Sequence, residues 1–218
     1  MKTPTDELSQ VLARDLLDLG AVSLSPQNPF TWSSGLRSPV YCDNRITLGH
    51  PTIRARITDG FVDLIASKNL GCDIIGGIAT AGIPHAAWLA HHMKKPMIYV
   101  RSEAKSHGRQ NRIEGPLETD SDVVLIEDLV STGQSSAAAI PPVSEGGGRV
   151  SAVLAIFTYG LEQARKTFEE AGIPLYTLTD YPTLVEVANR SGRIDDADAR
   201  SLRRWYEDPE AWSSERLI

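Results

Sequence analysis

A strand-like run of apolar residues at 123–126 ends in two adjacent acids, Glu127 and Asp128, and small and hydroxyl-bearing residues follow at 129–135. A helix is predicted directly after this turn, so its free backbone N–H groups suit a phosphate, and the serine and threonine hydroxyls add donors. Gly133 lets a ligand approach the backbone closely. Carboxylates do not bind phosphate, but they accept hydrogen bonds from sugar hydroxyls and favour a positive charge forming on a sugar. The segment therefore predicts a site for a phosphorylated sugar.

Two other interpretations of this segment have less support. A Walker-type nucleotide loop requires a lysine after its second glycine, which the segment lacks, and the chain contains no GxGxxG sequence. The two acids could instead only cap the following turn. However, two neighbouring carboxylates at the end of a buried strand carry a desolvation cost, which favours a functional role for them.

The elements around this segment alternate between apolar runs and helical patterns, which is typical of an α/β fold with a parallel sheet. Ligands of such sheets bind beyond the carboxyl ends of the strands, where the two acids lie. Residues 1–45 are too few for a domain, so residues 1–218 are predicted to form one domain, with a hood at 1–45 and a core at 46–218. Strands are predicted at 72–76, 97–100, 123–126, 150–157 and 175–178, and helices at 5–19, from 51, and at 83–93, 134–144, 161–171, 183–191 and 195–207.

Composition excludes several classes of protein. With 22 basic and 28 acidic residues, the net charge of −6 argues against a general nucleic-acid binder. No apolar run approaches the ~20 residues of a membrane span, and the polar N-terminus has no signal core, which predicts a cytoplasmic protein without membrane contact. Cys42 and Cys72 are isolated, so free thiols are expected rather than a zinc site.

A second segment with chemical potential is the stretch at 101–116, which has no apolar periodicity. It carries Arg101, Lys105, Arg109, Arg112 and a histidine against only two acids. Loops of this length without secondary structure are often functional lids, although a solvated surface loop is the alternative. Positive donors on a closing loop suit a leaving group that gains negative charge, such as pyrophosphate.

Three motifs resemble those of the orotate phosphoribosyltransferases, which belong to the type I phosphoribosyltransferases. They are the acid and loop segment at 127–135, the stretch at 28–43, and the basic loop at 101–108. The motifs occur in the family's order, and the resemblance as a whole extends over nearly the whole chain. The resemblance implies the type I phosphoribosyltransferase fold with an N-terminal hood. It also implies transfer of ribose 5-phosphate from 5-phospho-α-D-ribose 1-diphosphate (PRPP) to orotate, giving orotidine 5′-monophosphate and pyrophosphate in UMP synthesis.

The resemblance assigns roles position by position. It implies that Lys105, Glu127 and Asp128 act in catalysis. It implies Mg²⁺ carried mainly by pyrophosphate rather than by protein ligands, and a homodimer that shares loop 101–116 between subunits. Ser131 and Tyr41 match orotate-contacting positions. The positions implied to bind PRPP are Thr80, Ala81, Arg101, Lys105, His107, Glu127, Asp128, Leu129, Val130, Ser131, Thr132, Gly133, Gln134 and Ser135.

The chain departs from the family pattern at three places. Many members have a lysine where this chain has Ser33, and a second basic residue where it has Ser102. Many also have an arginine for the orotate carboxylate where this chain reads Phe-Thr-Tyr at 157–159, so Arg37 and Arg45 are candidate replacements. Two other functions stay open: a phosphoribosyltransferase for another base, and a regulatory binding protein on the same fold.

Overall fold

The computed structural model describes residues 4–32, 35–102 and 112–216, with side chains from Glu7 onward. The chain groups into two compact units, one formed by Met1–Gly49 together with Thr179–Ile218, and the other by His50–Leu178. No helix in the described ranges is long and apolar enough to cross a membrane.

The secondary-structure elements of the described residues follow the chain as numbered here. The strands are β1 (Val22–Leu24), β2 (Phe30–Thr31), β3 (Arg37–Ser38), β4 (Val40–Cys42), β5 (Ile74–Ile78), β6 (Met97–Val100), β7 (Ile113–Glu114), β8 (Asp122–Val130), β9 (Arg149–Thr158) and β10 (Leu175–Asp180). The helices are α1 (Pro4–Asp18), α2 (Pro51–Ser67), α3 (Gly82–Met93), α4 (Gln134–Ala137), α5 (Ile140–Glu145), α6 (Glu162–Ala171), α7 (Tyr181–Arg190), α8 (Asp196–Glu207) and α9 (Pro209–Ser214), and Asn44–Gly49 forms a 3₁₀ helix.

The central sheet has six strands in the order β10-β9-β8-β5-β6-β7. Strand β8 pairs in parallel with β5 on one side and with β9 on the other, and β6 extends the parallel arrangement beyond β5. In this sheet, the two-residue strand β7 pairs with β6 in the antiparallel direction. The predicted α/β fold with a parallel sheet is therefore confirmed.

The middle of the sheet is fully buried because its strands are apolar on both faces. In β8 the residues at 123–126 are all 0% exposed, and Val123 and Leu125 pack in one cluster with Val143 of α5 and Phe168 of α6. Helix α3 packs against β5 and β8. Strand β8, which carries Glu127 and Asp128, is therefore fixed by its neighbouring strands β5 and β9 and by the helices that pack on the sheet.

Beyond shifts of one or two residues at several element ends, two differences from the sequence-based expectation affect the site. Strand β8 continues through both acids to Val130, because the backbone beyond them still pairs with β9. The single helix expected at 134–144 is wrong: the structure has two short helices, α4 and α5. Pro141 and Pro142 explain the break, since proline is favoured in the first turn of a helix and disrupts a helix interior.

The unit formed by the two ends of the chain contains α1, β1–β4 and α7–α9. Its centre is aromatic: Trp205 and Trp212 are buried, and the Trp205 ring lies 5.1 Å from the ring of Tyr181 and 5.8 Å from that of Trp32. The C-terminal helices thus belong to the same compact unit as the predicted hood, a grouping that the sequence pattern does not indicate.

Candidate active site

The two adjacent acids of β8 differ in their surroundings. Glu127 is 7% exposed, and its carboxylate accepts hydrogen bonds from the Asp128 backbone N–H at 3.0 Å and from the Ser136 hydroxyl at 3.2 Å. Asp128 is half-buried and lies one residue nearer to the end of the strand. Ser136 is itself buried on α4, so the helix after the loop fixes the orientation of Glu127.

Burial raises the pKa of Glu127 to about 8, and the negative charge of Asp128 adds to this effect. The two hydrogen bonds that Glu127 accepts, from the Asp128 N–H and from Ser136, oppose the shift but do not cancel it. A carboxyl group held in this way keeps its proton near neutral pH until a cation or a donor reaches it. The site therefore suits a substrate that brings positive charge or hydroxyl donors.

We expect the Glu127→Gln variant to melt at a higher temperature than the wild type at pH 8–9, by on the order of 5–10 °C in the ligand-free protein. Folding raises the pKa of Glu127 from its ordinary 4.5 to about 8. Between these two pH values the unfolded chain has lost a proton that the folded chain keeps. Wild-type stability thus falls as the pH rises through the window, whereas the amide variant has no proton to lose.

Melting curves of both proteins from pH 4.5 to 9 measure this difference, which should shrink to near zero at the acidic end. Glu170→Gln, at an exposed acid of α6, is the control and should show no such trend. A difference between Glu127→Gln and the wild type that is constant across the whole range contradicts the raised pKa.

The β8–α4 loop, residues 131–133, leaves the strand at a firmly held point. The Val130 carbonyl accepts hydrogen bonds from the Thr158 hydroxyl at 3.0 Å and from the Tyr159 N–H at 3.2 Å. Gly133 has a φ of 81°, a left-handed conformation that favours glycine. The backbone of this loop turns within three residues, which leaves its N–H groups available for an anion.

The β5–α3 turn, residues 79–81, lies at the same edge of the sheet because β5 and β8 are parallel neighbours. Its peptide bond between Ala79 and Thr80 is cis. Gly82 begins α3 and lies so close to β8 that an added Cβ would be 2.2 Å from the Ile126 carbonyl oxygen and 3.2 Å from the Glu127 Cα. The turn that contains Thr80 and Ala81 is therefore packed directly beside the two acids.

Arg101 follows β6, the next strand along this edge. Its guanidinium lies 3.5 Å from the Glu114 carboxylate, and its backbone exchanges hydrogen bonds with Arg112, whose side chain donates to the Arg101 carbonyl at 2.8 Å. The base of the basic loop is thereby closed like a hairpin. Lys105 and His107 lie outside the described residues.

The residues predicted to contact orotate, apart from Ser131, belong to the unit formed by the two ends of the chain. The Tyr41 side chain is 46% exposed and its ring lies 5.7 Å from that of Phe30. The Arg45 guanidinium donates two hydrogen bonds to the Asp43 carboxylate, at 2.6 and 2.8 Å, which lower the pKa of that carboxyl. Among the described residues, the Arg37 guanidinium donates to the Thr31 hydroxyl at 3.1 Å and forms no ion pair, so it is the better candidate for an incoming carboxylate.

Sequence reasoning missed the residues that support the site from outside the motifs. Ser136 bonds Glu127, Gly82 packs on β8, and Thr167 of α6 donates to the Thr132 carbonyl. Gly82 belongs to the turn at 79–82 that the resemblance placed near the pyrophosphate, but neither its packing on β8 nor the role of Thr167 has a local signal, because each acts on a segment that is distant along the chain. Ser136 lies one residue beyond the motif, and a serine at that position only weakly indicates a hydrogen bond to the site.

The described residues contain no group of three or more histidines, cysteines or acids that could hold a metal ion. Glu127 accepts a hydrogen bond on each of its oxygens, and the half-buried Asp128 carboxylate lies beside it, nearer to the end of the strand. Mg²⁺ is commonly held by one or two carboxylates together with substrate phosphates, and this arrangement fits such shared binding rather than a protein cage.

The sheet, the acids of β8 and the two adjacent loops define a type I phosphoribosyltransferase fold. No protein-family model matches the chain. The orotate phosphoribosyltransferase of Halalkalibacterium halodurans is 50% identical over 95% of this chain and 100% of its own, and that of Staphylococcus saprophyticus is 52% identical over 92% and 98%. The crystal structure of orotate phosphoribosyltransferase from Aeropyrum pernix superposes with a TM-score of 0.72 at 32% identity, covering 84% of this chain and 99% of its own. The chain belongs to the orotate phosphoribosyltransferase family.

Proposed function

We propose that this protein transfers the ribose 5-phosphate group of PRPP to orotate, giving orotidine 5′-monophosphate and pyrophosphate in pyrimidine biosynthesis. One observation carries the proposal. In a chain of this family, the acids of β8 stand between the β8–α4 loop and the β5–α3 turn, two segments that suit anions. PRPP is a ligand with a phosphate at one end, a diphosphate at the other and a hydroxyl-bearing sugar between them.

The acids suit the chemistry of this transfer. When the bond from C1 to the diphosphate breaks, positive charge develops on the ribose and negative charge on the leaving group. The Asp128 carboxylate lies where negative charge stabilises the sugar cation, Glu127 can add to that charge once the approaching cation displaces its proton, and both side chains have oxygens that can accept hydrogen bonds from ribose hydroxyls. Arg101, with Lys105 and His107 of the same loop, supplies positive donors for the pyrophosphate.

Mg²⁺ belongs to the proposal as a companion of the diphosphate. Bound there, it would neutralise part of the charge on the leaving group. The protein would contribute one ligand to this ion, the half-buried carboxylate of Asp128, while the neighbouring loops bind the phosphate groups of the substrate. The cytoplasmic location stays a prediction.

We expect strong turnover of orotate and little of uracil, which lacks the carboxylate. A carboxylate paired with a guanidinium forms a charge-assisted hydrogen bond, so its loss should lower kcat/KM by about 10²-fold. The measurement is pyrophosphate release from PRPP and Mg²⁺ with orotate, uracil or adenine. Equal rates with orotate and uracil, or preference for adenine, overturn the orotate assignment and favour a phosphoribosyltransferase for another base.

Arg37→Ala and Arg45→Ala locate the partner of the orotate carboxylate. Arg37→Ala should raise the KM for orotate about tenfold, since a bond to a charged group is lost, and leave the KM for PRPP unchanged. Arg45→Ala serves as the matched control, because Asp43 already engages that guanidinium. If neither variant changes the KM for orotate, backbone N–H groups become the better candidates.

A homodimer with the loop at 101–116 shared between subunits is also part of the proposal. In a two-fold dimer the loop of each subunit can lie beside the pocket of its partner, so Lys105 of one subunit can complete the site of the other. Over 101–112 the loop has no apolar residue larger than Ala104 that would anchor it to its own subunit.

Two inactive variants test this sharing. Lys105→Ala has a sound pocket and a deficient loop, and Asp128→Asn has the reverse, so a mixed dimer regains one intact site only if the loop acts across the interface. After unfolding, mixing in equal amounts and refolding, activity should reach roughly a quarter of the wild type, because about half of the dimers are mixed. Mass measurement establishes exchange, and exchanged subunits without any gain in activity show that the loop serves its own subunit.

A further inference from the structure

We infer that Thr167, on helix α6, is a positioning residue for the β8–α4 loop and sets the affinity for the phosphate group of the substrate. The Thr167 hydroxyl lies 3.0 Å from the carbonyl oxygen of Thr132, in the middle of this loop, 35 residues away along the chain. The inference rests on the proposed function, since it assumes that the loop binds the 5-phosphate of PRPP.

The direction of this hydrogen bond determines the direction of the next N–H group. In a trans peptide the carbonyl and the following N–H lie in one plane and point in opposite directions. The peptide between Thr132 and Gly133 is trans, so a Thr132 carbonyl held toward α6 turns the Gly133 N–H away from α6. Within the described part of the chain this N–H donates to no acceptor, which leaves it available to a ligand.

Helix α6 also limits the position of Gly133. An added Cβ at Gly133 would lie 3.0 Å from the Phe168 ring and 3.5 Å from the Cα of Ala164, and both residues are buried on α6. The loop therefore lies close to α6, where Phe168 leaves little room for a side chain at position 133 and Thr167 holds the Thr132 carbonyl.

The rival explanation is that the Thr167 hydroxyl only stabilises its own helix. It lies 2.9 Å from the Gln163 carbonyl one turn earlier, so its single proton is shared between two acceptors. Such bonds to the preceding turn are common for threonine in helices. Thr58 in α2 makes the same kind of bond, to the Arg54 carbonyl at 3.0 Å, which makes it a matched control.

The test compares Thr167→Val, which keeps the shape and removes the hydroxyl, with Thr167→Ser, which keeps the hydroxyl. We expect Thr167→Val to raise the KM for PRPP and the dissociation constant of ribose 5-phosphate by about three- to tenfold, the effect of one lost hydrogen bond. The KM for orotate and the binding of inorganic pyrophosphate should stay at wild-type values. Thr167→Ser should restore tight binding.

Thr58→Val should change neither constant, although it loses the equivalent bond within a helix. The inference is overturned if Thr167→Val binds ribose 5-phosphate as the wild type does, or if it loses orotate, pyrophosphate and ribose 5-phosphate equally with a lowered melting temperature. The proposed function is tested separately by the wild type: if wild-type protein releases no pyrophosphate from PRPP with orotate, that function fails whatever Thr167 does.

Discussion

Replacing Asp128 by asparagine is expected to lower kcat about 10²-fold, which is the effect of losing one preorganised electrostatic group. The fold and the melting temperature should be retained. Asparagine keeps the size of the side chain and one acceptor oxygen, exchanges the other oxygen for an NH₂ donor, and removes the negative charge that supports a ribosyl cation. Because this charge acts mainly when the bond to the diphosphate breaks, the KM for PRPP should change much less than kcat.

Glu127 is a less direct candidate for this role because burial raises its pKa to about 8, so it holds its proton near neutral pH. Steady-state kinetics with orotate and PRPP measure the effect, and circular dichroism verifies the fold. Asp120→Asn removes the same charge from an exposed position of the same unit and is the control, expected to keep wild-type kcat. Turnover of Asp128→Asn within twofold of the wild type would rule out the proposed role of this carboxylate.

The buried strands of the sheet could be predicted because they are long and apolar on both faces. Strands β5, β8 and β9 each contain a run of fully buried residues, and such runs are visible without any knowledge of neighbours. Strand β7 has only two residues, Ile113 and Glu114, and forms because β6 offers a free edge. A two-residue element has no period, so the sequence contains no signal for it.

The end of β8 shows why boundaries are harder to predict than elements. Glu127 and Asp128 are polar and suggest that the strand has ended, yet their backbone still pairs with β9, so pairing overrides side-chain type. Conversely, the apolar and small residues at 134–144 suggested one helix, and Pro141 and Pro142 were the local signal that it is divided.

The motif residues of the candidate site were predictable because they are contiguous in sequence, whereas their supports were not. Ser131, Thr132 and Gly133 follow the strand directly, so residue type and order are sufficient to propose a loop for phosphate. Thr167 and Gly82 act through packing on segments far away along the chain, and only distances in the folded protein identify them.

The Gly82→Ala variant is expected to lose turnover by about 10²-fold and to melt roughly 5 °C below the wild type. Local propensity predicts the opposite sign, because alanine stabilises a helix by ~1 kcal/mol relative to glycine. The added methyl group, however, would lie 2.2 Å from the Ile126 carbonyl oxygen and 3.1 Å from its carbon. Strand β8 cannot yield, since it is hydrogen-bonded to strands on both sides.

Helix α3 must therefore move away from β8, and the β5–α3 turn moves with it. Overpacking against backbone costs ~3 kcal/mol, which exceeds the helix gain, and a shift of ~1 Å between reacting groups is sufficient for the kinetic loss. Gly49→Ala is the matched control, because Gly49 has no atom within 4 Å of an added Cβ and no left-handed backbone, so it should keep wild-type turnover. Kinetics and melting curves of the three proteins decide the matter. If Gly82→Ala matches the wild type in both, the contact between the turn and the strand that carries the two acids does not hold the site together.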